Sequence, residues 1–305
     1  LTAACDRPHK VGVSAIALPA RPESRASLFM VLAMASFVSN DTCVKLVGKG
    51  LPMGELIGLR GLMSMALITL IAARQGVLGD IGQMANRRVL ARASLDLVAT
   101  ITFITALLNM ELANLTAILQ AVPLAVAFLS RLFLGERVGT QRALAIAVGF
   151  AGVLFIVRPT PAHFSVYDSL ALLIVFTIAA RDLVTRTVPS TIPSQIVALA
   201  NASFVTAGGL LLGLYQGFVM PTLPQILLMA LASVFLACGY MAMVATLRLG
   251  PLAATAPFRY AILVFAIIYG MLIFKEYPDG FSLIGMALIV AAGLYAARQT
   301  LKVQR

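Results

Sequence analysis

Charge is scarce in this chain. Of its 305 residues, 11% are Asp, Glu, Lys or Arg, less than half the roughly 25% usual in soluble globular domains. Hydrophobic residues make up 60% and the mean hydropathy is +0.96. These values exclude a soluble domain and point to a chain that crosses a bilayer several times. Histidine is nearly absent: His9 and His163 both fall outside the apolar runs, so no His-based metal or catalytic site is expected at membrane depth. The cysteines Cys5, Cys43 and Cys238 form no metal-ligand spacing; the last two are expected to pack as small apolar residues. No helix carries paired carboxylates, and no nucleophile–base constellation is visible. An intramembrane enzyme is therefore disfavoured, and no cofactor or metal is expected. The net charge of +11 comes without a Lys/Arg cluster interleaved with aromatics, so no nucleic-acid partner is expected either.

Long apolar runs fill the rest. A spanning helix needs about 20 mostly apolar residues, and ten such runs are placed at 27–47, 53–74, 90–110, 112–134, 140–157, 166–186, 193–215, 224–247, 251–274 and 281–298. The expected fold is all-α, a polytopic bundle of ten transmembrane helices joined mostly by short links. The runs are too long, and too little alternating, for barrel strands, and open strands cannot satisfy their backbone in lipid. Of 23 basic residues, Arg60 and Arg259 lie deep in spans. Lys45, Lys49, Arg158 and Lys275 fall on one face, and the remaining seventeen on the other. The positive-inside rule then puts both termini in the cytoplasm. Residues 1–26, with Pro8, Pro19 and Pro22 among scattered basic residues, read as a disordered cytoplasmic tail and not as a signal peptide; an untranslated extension is the alternative. Residues 299–305 read as a second tail.

The chain also repeats itself. Asn40-Asp41-Thr42-Cys43-Val44-Lys45 interrupts the first apolar run, and Arg181-Asp182-Leu183-Val184-Thr185-Arg186 interrupts the sixth. Asp41 maps onto Asp182, Lys45 onto Arg186 and Pro52 onto Pro193 at one offset of 141, and Gly152 maps onto Gly293. Gly135-Glu136 matches Lys275-Glu276 at offset 140. The halves, 27–158 and 166–298, hold five spans each; because five is odd, they enter the bilayer with opposite orientations. Inverted repeats are a recurrent secondary-transporter design, with substrate bound between the halves near the midplane.

At these residues the sequence resembles the EamA family of the drug/metabolite transporter superfamily. Gly135-Glu136 with Gly152 and Pro159, Glu276 with Gly285 and Gly293, Ala117 to Pro123, and Leu249-Gly250-Pro251 with Pro257 carry the resemblance. Lys275, where Gly is common, departs from it and puts that turn in doubt. The resemblance implies secondary transport of a small organic metabolite across the bacterial cytoplasmic membrane without ATP hydrolysis. The Asn-Asp-Thr-x-x-Lys run is similar to a branch that includes riboflavin importers, which makes riboflavin uptake the first substrate to test. Export of amino acids or other metabolites is the alternative, and a non-transporting scaffold the alternative of another class. The expected partners are the lipid bilayer, the metabolite and a coupling proton or cation, with a monomer or homodimer as the working unit.

Ionisable groups inside spans are costly and mark function by default. Asp41 is a candidate proton or cation acceptor, or a partner for a cationic substrate group; the bland alternative is an ion pair with Lys45, its i+4 neighbour, or with Arg60. Asn40 and Lys45 join it as candidates. Arg60 could grip an anionic or planar polar substrate bidentately. Gln120 is a candidate hydrogen-bonding residue, and Arg259 with Tyr260 a candidate cavity-facing pair. Gating or hinge candidates are Asp96, which could instead pair with Arg92; Asp182, whose plainer role is interfacial anchoring; and Pro123 and Pro257, which interrupt their helices. Glu136 and Glu276 read as carboxylates at helix starts, explained by the helix dipole.

Overall fold

The computed structural model describes residues 22–135, 139–158, 165–249 and 255–303. Eleven α-helices and no strand occur among them. The first six are α1 Pro22–Val47, α2 Met53–Arg74, α3 Arg87–Asn109, α4 Leu112–Leu119, α5 Val122–Leu134 and α6 Thr140–Val157. The other five are α7 Val166–Thr187, α8 Ser194–Gln216, α9 Leu223–Leu249, α10 Ala261–Tyr269 and α11 Gly280–Val303. A 3₁₀ segment, Val77–Ala85, precedes α3; another, Ala256–Tyr260, leads into α10, which leaves through a π turn at Gly270–Phe274.

Seven stretches of these helices are long and apolar enough to cross a bilayer. The apolar parts of α6 and α11, Ala143–Val157 and Gly280–Ala296, are shorter, and α7 carries Arg181, Asp182 and Arg186. The outer surface is apolar: Phe133 is 73%, Leu211 67% and Leu272 77% exposed, which suits acyl chains and not water. Helix ends depart from expectation at both termini. α1 starts at Pro22, inside the expected tail, and α11 runs on to Val303. Residues 1–21, Glu136, Pro159 and Gly250-Pro251 lie outside the described residues.

Local chemistry sets several helix ends. Ser165 and Asp168 form a reciprocal capping box that starts α7, and the Asn86 side chain accepts from Arg88 N to start α3. Gly135 closes α5 in the left-handed conformation at φ 66°. Lys275 takes the same conformation, φ 59°, after the π turn. The turn at Lys275 therefore keeps its backbone shape although the sequence lacks the glycine; a side chain there costs about 1–2 kcal/mol.

Helices pair α1 with α9, α2 with α8, α3 with α7 and α6 with α11; α10 packs on α1 and α4, and α7 also meets α4 and α5. Small residues make the closest crossings, as expected where helices associate without a hydrophobic drive. A Cβ on Gly54 would come within 2.7 Å of Gly213 Cα, and one on Gly209 within 2.6 Å of Gly58 N. Gly61 opposes Thr206 in the same way. The paired numbers fall on one helix as they rise on the other, so α2 and α8 are antiparallel. In the second crossing, a Cβ on Gly152 would lie 2.8 Å from Gly285 O, and one on Gly285 2.6 Å from Gly152 O. A continuous core that includes Val38, Leu56, Ile57, Ile104, Leu112 and Ile174 joins the central helices.

Candidate functional site

A cavity of about 1180 Å³ opens between α2, α3, α7, α8 and α9. It runs from Ile57 and Arg60, in the first part of α2, to the α7–α8 connection at Val188–Ser194. Its wall is largely apolar, with Ile57, Ile104, Val205 and the rings of Phe103 and Tyr240. Set into that wall are Arg60 and Ser64 on α2, Thr100 on α3 and Asn201 on α8.

Arg60 makes no hydrogen bond and no ion pair among the described residues. Asp41 interacts with it only through space; the Asp41 carboxylate instead accepts from Asn40 Nδ2 at 2.8 Å. Asn201 Oδ1 is shut off from solvent without a partner. An unmet carbonyl of this kind costs about 1–3 kcal/mol.

A charged cluster lies at the mouth. Arg181 Nη1 donates to Asp96 Oδ1 at 2.7 Å, and Arg181 Nη2 to Asp182 Oδ1 at 2.8 Å. Arg92 stands 4.0 Å from Asp96 and donates through Nε to Thr185 Oγ1 at 2.8 Å. The sequence points Asp96 to Arg92, its i−4 neighbour; the close partner is Arg181 on α7, because α3 and α7 pack along each other. Asp182 is 42% exposed at its side chain and paired with its own neighbour.

The opposite end is locked. Lys45 Nζ donates to Glu276 Oε1 at 2.5 Å and to Met110 O at 2.6 Å, and lies 4.8 Å from the Phe274 ring centroid. Glu276 Oε2 also accepts from Leu112 N at 2.8 Å. One carboxylate thus ties α1, the start of α4 and the chain after the π turn together. This replaces two expectations. Lys45 does not pair with Asp41, because α1 presents it to the Glu276 carboxylate, 231 residues away in the sequence. Glu276 does not start a helix; α11 begins at Gly280. Around the lock, Arg158 bridges to Asp279, Glu55 Oε2 accepts from Val219 N at 2.9 Å and Gln216 Oε1 from Gly54 N at 2.8 Å. A small polar recess of about 380 Å³ holds Asn109, Glu111, Asn114 and Arg158. Glu111, in the α3–α4 turn, has its pKa pushed above the usual carboxylate value, first by burial and then by the Glu276 charge, with Lys45 and Arg158 opposing.

The remaining candidates are dispersed. Asn40 is 3% exposed, with its Oδ1 unpartnered. Gln120 is buried at the break between α4 and α5, and Pro123 sits in the first turn of α5, so that break is where α4 and α5 divide. Pro257 lies in the 3₁₀ lead-in to α10. Arg259 is exposed and outside the cavity wall. The short 3₁₀ segment turns it outward, against the cavity-facing expectation. Tyr260 directs its hydroxyl onto Gly293 of α11. Asn201 and Thr100 were missed by residue-type reasoning. Asn201 stands at the same 141-residue offset from Arg60 that relates Asp41 to Asp182, which is the signal that could have found it.

A profile of the EamA-like transporter family matches residues 24–158 and again residues 165–297. The chain belongs to this family. It is a family of transporters, so the EamA chain is a multi-pass membrane protein and not an enzyme. It is similar to a riboflavin transporter of Rhizobium johnstonii, 28% identical over 72% of each chain. It is 27% identical to the pseudopaline exporter CntI of Pseudomonas aeruginosa, over 89% of this chain and 95% of that one. An S-adenosylmethionine uptake transporter of Rickettsia bellii is 27% identical over 59% of this chain and 62% of its own length. A crystal structure of another protein superposes with a TM-score of 0.61, covering 92% of this chain and 99% of that one. At 16% identity, that likeness bears on the fold alone.

Proposed function

We propose that this EamA chain is a secondary transporter that moves a small organic metabolite by alternating access across the bacterial cytoplasmic membrane. One observation carries the reading: a cavity reaches Arg60 from one end of the bundle, while the Lys45–Glu276 lock shuts the other. At about 1180 Å³ it exceeds the 300–1,000 Å³ that typically holds a drug-sized ligand. With both termini cytoplasmic, as the basic residues suggest, the open end faces the cytoplasm and the locked end the exterior.

Ten spans in two inverted halves, 27–158 and 166–298, with tails 1–26 and 299–305, are the architecture behind this mechanism. The helix pairing supports it. Exchanging α1, α2, α3, α4–α5 and α6 for α7, α8, α9, α10 and α11 turns α1/α9 into α7/α3. The same exchange leaves α2/α8 and α6/α11 unchanged. One chain supplies both halves, so a monomer suffices. Asp41, near the unpaired Arg60, is the candidate for proton coupling. Pro123 and Pro257, at the two broken helices, are the candidate hinges.

Riboflavin uptake is the first substrate to test, supported by the Asn-Asp-Thr-x-x-Lys run and by the names of two relatives. The exporter relative covers more of the chain and favours the outward direction as the second reading. Proteoliposomes carrying the full chain, loaded or bathed with labelled riboflavin, S-adenosylmethionine and amino acids under imposed proton and sodium gradients, test both. Movement of one solute with a gradient supports the reading, and its preferred direction separates uptake from export. If no gradient drives any solute, the transporter reading is wrong for this chain.

A further inference from the structure

We propose that Arg60 and Asn201 form a two-point substrate clamp. The guanidinium takes two coplanar acceptor atoms of the substrate, and the Asn201 carboxamide takes a hydrogen-bonding group nearer the mouth. The proposal rests on the transport reading above and names the part of the substrate that the cavity recognises.

Three observations carry it. Arg60 lines the cavity with its donors unspent among the described residues, and a guanidinium offers a planar fork matched to paired acceptors. Asn201 lines the same cavity, and its oxygen is shut off from solvent without a partner; turning the amide toward the cavity gives that oxygen a ligand to pair with. The register of α2 on α8 fixes their separation. Gly61 lies opposite Thr206, and Gly58 opposite Gly209, which puts Arg60 level with residue 207. Asn201 is six residues further toward the mouth, about 9 Å along the axis at the helical rise. Phe103 and Tyr240, on the facing helices, bound the same space and would cover a planar body held between the two points.

The two positions are also 141 residues apart, on the pair of helices that is its own counterpart in the pairing pattern. A site on that pair stays on the access path whichever end is open. The halves contribute unequally: the first a cation with donors only, the second a neutral amide. The clamp therefore selects a substrate with an acceptor pair at one end and no requirement for charge at the other. Two chemical sources offer that pair: the carboxylate of an amino-acid-like metabolite, or the adjacent ring nitrogen and carbonyl of a flavin-type pyrimidine edge.

The test uses the purified full chain. Riboflavin binding is read by flavin fluorescence, and binding of labelled amino acids by scintillation proximity, for wild type, Arg60→Lys, Arg60→Gln and Asn201→Ala. Each variant is first checked for monodispersity and thermal midpoint. The bound ligand should weaken about 10- to 100-fold in Arg60→Gln, as for loss of hydrogen bonds to a charged group, and about fivefold in Asn201→Ala. Arg60→Lys should restore part of the affinity for a carboxylate, which a point charge still attracts, and little for a flavin edge, which needs the fork. Should Arg60→Gln not fold, the Lys and Asn201→Ala variants carry the test alone. Unchanged affinity in the folded Arg60 variants overturns the clamp, and so does a wild type that binds neither ligand class. Transport in proteoliposomes separates the two failures. A solute moved with unaltered KM by the variants sinks the clamp and leaves the transporter; binding without any movement sinks the transport reading and leaves the clamp.

Discussion

The Lys45–Glu276 lock gives the sharpest prediction, because its energy falls on one conformation. Lys45 is 5% and Glu276 19% exposed at the side chain, so the pair is largely withdrawn from solvent. Replacing Glu276 by Ala leaves a buried ammonium with the Met110 carbonyl and the Phe274 ring but no counter-charge, and strips Leu112 N of its acceptor. Breaking a buried pair from one side costs about 3–5 kcal/mol. The retained Met110 contact argues for the low end, about 3 kcal/mol, or roughly a 150-fold shift away from the locked state. Glu276→Gln keeps an acceptor for Leu112 and for Lys45 but loses the charge. It should shift the equilibrium by about 1.5 kcal/mol, roughly tenfold.

Cys43 reports the shift. It lies two residues from Lys45 on α1 and is 7% exposed. In a Cys5→Ser, Cys238→Ser background, a membrane-impermeant maleimide added from the Lys45 side should label Cys43 slowly. Where opening precedes labelling, the rate scales with the open population. It should therefore rise in the order parent, Glu276→Gln, Glu276→Ala, by roughly the factors just given. If Cys43 reacts at the parent rate in both variants while the protein stays monodisperse, the pair does not hold that end shut.

Other perturbations have equally definite signs. The raised pKa of Glu111 means that the folded protein binds its proton more tightly than the unfolded chain does. Stability should therefore increase as pH falls through the range between the raised and the ordinary Glu values. Glu111→Gln should remove that dependence in thermal melts and raise the midpoint at neutral pH. Gly152→Val drives a side chain into the Gly285 carbonyl and should cost about 1–3 kcal/mol by overpacking, read as a lowered melting temperature; a wild-type midpoint would contradict the close crossing. Lys275→Gly relieves a left-handed backbone and should be neutral to about 1 kcal/mol stabilising, with the Glu276 lock intact. Asp96→Asn weakens the interhelical contact to Arg181 at the mouth. It should alter transport KM more than melting temperature, whereas Arg92→Gln, with its longer contact, should do less.

The sequence by itself determined the class and outline of this protein. Scarce charge and runs of about 20 apolar residues are local properties, so the helices fall close to their expected positions. Span four appears as α4 and α5, divided at Gln120-Ala121 just before Pro123. The offset of 141 was readable because a repeat is written in the order of residues, whatever the fold does with them. Tertiary structure decided which charges meet. Asp41 and Lys45 share a helix face, yet Lys45 reaches Glu276 across 231 positions, and Asp96 prefers Arg181 to its own i−4 neighbour. In low dielectric a buried charge takes the nearest strong partner, and helix packing, not spacing along the chain, sets which partner is nearest. The same packing turned Arg259 outward, left Arg60 unpaired at the cavity wall and set Asn201 into the same wall nearer the mouth. None of these is a property of any single stretch of sequence.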